Sequence, residues 1–100
     1  MILELEEAGD LAAPVTRRAG RGDCTDANGQ DWDVKRFRDD VARPPFDVRE
    51  ILEAKIRYEI VACRENVIVD LTGLVDLANR QALRQAVTDA GLAAHVRWYE

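Results

Sequence analysis

The 100-residue chain is poor in several residue types, and each scarcity closes a route. Its two cysteines, Cys24 and Cys63, lack Cys-x-x-Cys spacing, and its single histidine, His95, stands alone. That combination does not support a structural zinc site. It also leaves two semi-buried thiols as the better reading than a disulfide. No apolar run approaches the ~20 residues needed to span a bilayer, so no membrane segment is expected. The opening Met1-Ile2-Leu3-Glu4-Leu5-Glu6-Glu7 is acidic where a signal peptide is first basic and then apolar. Delivery to another compartment would need something outside these residues. There is no internal repeat and no low-complexity tract.

What is present suits one small domain spanning residues 1–100, with enough apolar residues for a core but a thin stability margin. The net charge of −5 argues against a general nucleic-acid coat. The cations are unevenly placed, however. Arg17, Arg18, Arg21, Lys35, Arg36, Arg38 and Arg43 all fall near one stretch, residues 22–35. A local cationic rim around an acidic site is compatible with an acidic whole.

The pattern along the chain predicts an α/β (α+β) fold in the order α-β-β-α-β-α-β. Residues 2–9 form a short helix stopped near Gly9. Residues 22–26 and 30–37 form an antiparallel hairpin around Asn28-Gly29, a dipeptide tolerant of positive φ. Arg43-Pro44-Pro45-Phe46 breaks regular structure. Asp47 and Glu50 make a capping-box signal for a helix to about Arg64, buried along Val48, Ile51, Leu52, Ile56, Ile60 and Cys63. Residues 67–71 read as a covered strand, residues 77–90 as a helix and residues 95–99 as the last strand. Strand–helix–strand implies a right-handed crossover and parallel final strands. The result is a mixed sheet of about four strands flanked by about three helices.

The chemistry lies in Gly22-Asp23-Cys24-Thr25-Asp26-Ala27-Asn28-Gly29-Gln30-Asp31-Trp32-Asp33-Val34-Lys35. Asp33 and Lys35 share a strand face, because side chains repeat every two residues. A carboxylate and an ammonium side by side suit phosphodiester hydrolysis assisted by a hard cation, Mg²⁺ or Mn²⁺. The lysine can position or help deprotonate the attacking water and stabilise the charge that develops at phosphorus. A second carboxylate would come from the neighbouring strand. A two-residue turn sets Asp26 opposite Asp31 and Cys24 opposite Asp33, whereas a three-residue loop sets Asp23 opposite Asp33. Asp23 and Asp26 are therefore rivals as metal ligands.

Gly22-Asp23, followed after nine residues by Asp33-Val34-Lys35, resembles the motif of the restriction-endonuclease-like superfamily, an Asp and then Asp/Glu-x-Lys. The order of elements is also similar. More narrowly, residues 23–35 and the tail from Asn66 to Tyr99 resemble C-terminal toxin modules of bacterial polymorphic toxins of the contact-dependent inhibition and Rhs types. The resemblance implies Asp23 and Asp33 as metal ligands and Asp23, Asp33 and Lys35 as the catalytic set. It implies a further acid from the first helix, with Glu4 the candidate ahead of Glu6 and Glu7. Arg21, Arg36 and Arg38 would form the nucleic-acid rim. It further implies a nuclease delivered within a larger secreted protein, a target-cell cytoplasmic nucleic acid as substrate, and a cognate immunity protein as partner.

Plainer readings stand beside these. Glu50, Glu53, Lys55, Arg57 and Glu59 read as a solvated helix face with i,i+4 pairs. Trp32 and Trp98 read as core anchors, His95 as a surface or packing residue, and Asp70 as the end of a buried strand. The alternative function is a non-enzymatic acidic module, such as an immunity or interaction protein, or a nuclease fold without turnover.

Overall fold

The computed structural model describes residues 2–9, 11, 16–17, 24–39 and 46–100. Its centre is a mixed sheet of five strands in sequence order: β1 (Thr16–Arg17), β2 (Cys24–Thr25), β3 (Asp31–Arg36), β4 (Asn66–Asp70) and β5 (Val96–Tyr99). β1, β2 and β3 pair antiparallel, while β3, β4 and β5 pair parallel. The protein is therefore an α+β fold, a hairpin continued by two crossovers. The first helix, α1 (Ile2–Glu7), has only six residues, so two longer helical stretches carry the packing rather than three.

The first crossover is one continuous helical stretch. It begins as α2 (Val48–Glu50), widens to π geometry over Ile51–Arg57, and ends as α3 (Tyr58–Val61). Asp47 caps it as the sequence predicts, its carboxylate accepting from the amides of Arg49 at 3.0 Å and Glu50 at 3.3 Å. The second crossover helix, α4 (Leu77–Asp89), starts at Asp76, whose side chain accepts from the Ala78 amide.

Strand periodicity sends alternate residues to two different layers. Val67 and Val69 of β4 and Val96 of β5 lie under both crossover helices, packed with Ile56, Leu71, Leu74, Leu83 and Val87. On the other face Trp32 and Ile68 pack with Cys24, Leu5 of α1 and Leu11. Cys24 and Cys63 are free thiols, the first buried and the second half-buried. Gly73 closes the end of β4 against β3. A Cβ there would sit 2.4 Å from the Phe37 carbonyl oxygen, closer than any side chain tolerates.

Asp26 decides the hairpin. Its amide donates to the Gln30 carbonyl and its carbonyl accepts from Gly29, each at 3.0 Å. The loop thus holds Ala27, Asn28 and Gly29. Gly29 takes positive φ (80°) and Asn28 does not, so this is the three-residue loop with a left-handed last residue, not the two-residue turn. The Asp26 carboxylate is consumed in holding it. Oδ1 accepts from the amides of Asn28 and Gln30 at 2.9 and 3.0 Å, and Oδ2 from the Trp32 indole N–H at 3.0 Å. Register follows: Cys24 opposes Trp32 and Thr25 opposes Asp31.

Asp26→Ala is expected to destabilise the fold by about 2–4 kcal/mol, because it strands a buried indole N–H as well as two loop amides. Urea unfolding followed by Trp emission measures the loss.

Candidate functional site

β3 presents Asp31, Asp33 and Lys35 on one face and Trp32, Val34 and Arg36 on the other. Asp33 pairs with Val67 and Lys35 with Val69, so both charged residues share the face covered by the crossover helices. Apolar residues would fill this place in an ordinary sheet. Instead the Lys35 ammonium lies 2.9 Å from Asp33 Oδ2 and 3.2 Å from Glu59 Oε1. The three side chains are 28%, 19% and 16% exposed, so water reaches the cluster without flooding it.

Glu59 was expected on the solvated helix face, and the structure corrects this. It lies three residues after Ile56 and four before Cys63, both placed in the inward stripe, and that spacing was the available signal. The same stripe is shallower than expected. Ile56 is fully buried, whereas Ile51, Leu52, Ile60 and Cys63 are half-buried. The π segment breaks the 3.6-residue repeat on which the stripe was drawn.

Burial pushes the Lys35 ammonium toward losing its proton, but the hydrogen bonds it donates to Asp33 and then Glu59, with their charges, outweigh it and raise the pKa above the ordinary lysine value of 10.5. Lys35 is therefore a cation at neutral pH. A raised pKa disfavours the neutral lysine that a general base requires.

The other predicted site residues fall elsewhere. Asp26 shares the Trp32 face and is engaged in the loop, so it does not join Asp33 as a ligand. Asp23 and Arg21 lie outside the described residues. Glu4 belongs to α1, which packs through Leu5 on the Trp32 side. The sheet thus separates Glu4 from Asp33. Arg38 is exposed beyond the end of β3.

Arg36 also lies on the Trp32 side, where it grips Asp70 through Nε at 2.8 Å and Nη2 at 2.7 Å. Asp70 is 1% exposed, and its other oxygen accepts from the Thr72 amide at 2.9 Å and hydroxyl at 2.6 Å. Burial would raise the Asp70 pKa. The Thr72 hydroxyl and amide, then the Arg36 guanidinium, overcome it and hold the carboxyl below its usual range. Asp70 is a structural anion that commits Arg36, not a second centre. Trp32 is a core anchor with the Arg97 guanidinium 5.2 Å from its ring.

Among the described residues no three His, Cys, Asp or Glu side chains gather as a metal-holding group. Two converging carboxylates remain, Asp33 and Glu59. Hard oxygen donors of this kind fit a Mg²⁺ or Mn²⁺ that keeps water or phosphate in its remaining positions. No described helix is long and apolar enough to cross a membrane. Comparison with known proteins finds no matching family model, no matching curated protein and no matching solved structure.

The triad sets a pH response. Lys35 has its pKa raised on folding, so its stabilising contribution is complete below the unfolded value of about 10.4 and is lost as pH rises through the folded value. Glu59→Gln is expected to bring the Lys35 pKa down toward the ordinary value, leaving Asp33 as its one remaining charged partner. An NMR titration of the Lys35 side chain from neutral to strongly alkaline pH reads the change.

Proposed function

We propose that this protein is a metal-dependent nuclease that hydrolyses phosphodiester bonds of DNA or RNA, acting as the toxin domain of a larger bacterial effector. The observation that supports this reading is the convergence of Asp33 and Glu59 on the Lys35 ammonium at a half-buried sheet–helix junction. Asp33 and Glu59 would hold the cation, with Asp23 as a further ligand on the strength of the sequence resemblance. Bound there, the cation would supply Lewis-acid polarisation of a phosphoryl oxygen and a water of lowered pKa.

The chain's own groups do the rest. Lys35, a cation throughout the physiological range, offers its N–H bonds to a non-bridging phosphate oxygen and stabilises the charge that grows there. The helix above β3 limits water, which strengthens that interaction over its value in bulk solvent. A substrate in the cytoplasm of a target cell and a cognate immunity protein in the producing cell belong to the same proposal.

Cleavage of plasmid DNA and of cellular RNA in Mg²⁺ or Mn²⁺ tests it. Asp33→Asn and Lys35→Met, both close in shape, are expected to lower the rate by about 10²–10³-fold with an unchanged circular-dichroism spectrum. Wild-type protein that leaves both substrates intact in either metal would overturn the reading.

A second reading has an observation in its favour. The triad is already neutralised in part by its own lysine, as in a structural ion network. An acidic binding module would keep this network closed. Mg²⁺ titration calorimetry separates the two, since the module gives no saturable heat.

A further inference from the structure

The edge where the three parallel strands begin carries a cleft of about 380 Å³ that the Asp33 cluster does not use. Its walls include Gln30 and Asp31 of the hairpin, Ile60 and Arg64 from the end of the first crossover, Asn66 of β4 and His95 before β5. The volume falls in the range of small-ligand sites, about 300–1,000 Å³. It adjoins the triad along both walls. Asp31 precedes Asp33 by two residues on one strand face, a step of about 7 Å, and Ile60 follows Glu59 in the helix.

Within it a row of polar side chains has a fixed direction. The Asn66 amide nitrogen donates to Gln30 Oε1, and the Asn66 amide oxygen lies 2.9 Å from His95 Nδ1. An amide oxygen only accepts, so His95 Nδ1 carries a proton, and in the neutral ring Nε2 is left as an acceptor. At the other end of the row the Gln30 amide nitrogen is left as a donor. The row therefore ends in one donor and one acceptor, each without a described partner. Such a pair reads hydroxyls or a heterocycle edge, not a bare ion.

Arg64 supplies a charge at a conformational cost. It is the one described non-glycine residue at positive φ (57°), where the helix closes through the Glu65 amide to the Glu59 carbonyl at 3.1 Å. Glycine or asparagine is the usual residue at such a closure, and a side chain there costs of order 1–3 kcal/mol. Its guanidinium has no hydrogen bond or ion pair among the described residues. A strained backbone is thus occupied by a residue whose free end lines the cleft.

We propose that this cleft is the subsite for the nucleotide next to the scissile phosphate. The Arg64 guanidinium takes its phosphate, and the Gln30–Asn66–His95 row takes its sugar or base. The assignment rests on the nuclease reading for the identity of the ligand, and on the cleft alone for its place.

The test uses the full chain without metal, so that it does not depend on cleavage. Adenosine 5′-monophosphate is titrated while NMR follows the Arg64, Asn66, Gln30 and His95 side chains, with inorganic phosphate as a second arm. Saturable shifts at these four residues are expected, with phosphate alone binding about tenfold or more weakly. Arg64→Gln and His95→Ala should each weaken the nucleotide about tenfold, while Arg49→Gln, at an exposed position away from the cleft, should leave it within about twofold. Arg64→Gly should abolish the phosphate contact while leaving the thermal midpoint unchanged or higher, because glycine suits that backbone. Its loss of binding then cannot be ascribed to unfolding. Absence of saturable binding, binding indifferent to Arg64, or equal binding of phosphate alone overturns the subsite. Mg²⁺-dependent cleavage, measured separately, would still stand or fall by Asp33 and Lys35.

Discussion

The Asp26 carboxylate is the constraint on which the arrangement depends. Three donors meet it, two from loop amides and one from an indole. Together they select a three-residue loop over the tighter turn that Asn-Gly also allows. A one-residue change in loop length changes every cross-strand pair in the hairpin. With the register set, Trp32 enters the lower core against Leu5 and Ile68, and Asp33 and Lys35 turn toward the crossover helices. The acidic group suited by sequence to bind a cation instead organises the chain that presents the others.

Two ionic arrangements then divide the sheet between them. Beneath it Asp70 and Arg36 form a closed pair, completed by Thr72, in which both Asp70 oxygens are engaged. Above it Lys35 is shared by two carboxylates, an arrangement with an excess negative charge. The first has every acceptor occupied and a stabilised anion. The second is partly wet and retains an uncompensated carboxylate, which distinguishes a site from a staple. That contrast directs attention to the upper face, together with the cleft it shares.

Much of the architecture was legible in the sequence because it rests on local rules. The Asp47 cap, the covered apolar strand expected at residues 67–71 and found at Asn66–Asp70, and the strand–helix–strand crossover each follow from residue type and spacing. The site was legible only in part. Asp33 and Lys35 share a face through the two-residue repeat of any strand. The rivalry between Asp23 and Asp26 could not be resolved locally, because loop length depended on a tertiary bond from Asp26 to Trp32. Glu59 escaped because its charge outranked its spacing: it falls at stripe positions from Ile56 and Cys63, but a carboxylate reads as part of the solvated face. Glu4 was assigned by resemblance of element order, which does not say on which side of a sheet a helix lies. Arg64 and the Gln30–Asn66–His95 row come together from three separate segments, beyond the reach of any local pattern.

The widened helical stretch over Ile51–Arg57 has one more consequence. Such a stretch accommodates more residues per turn than the ladder around it, so it acts as a phase adjuster between the Asp47 cap and the strand that follows. Rewinding the same residues into the narrower coil, with none removed, would rotate all that comes after by about 100°. Glu59 would swing off the lysine and Arg64 off its cleft, with composition untouched. In this small protein the angular position of two charged side chains is thus encoded in the winding of one helix.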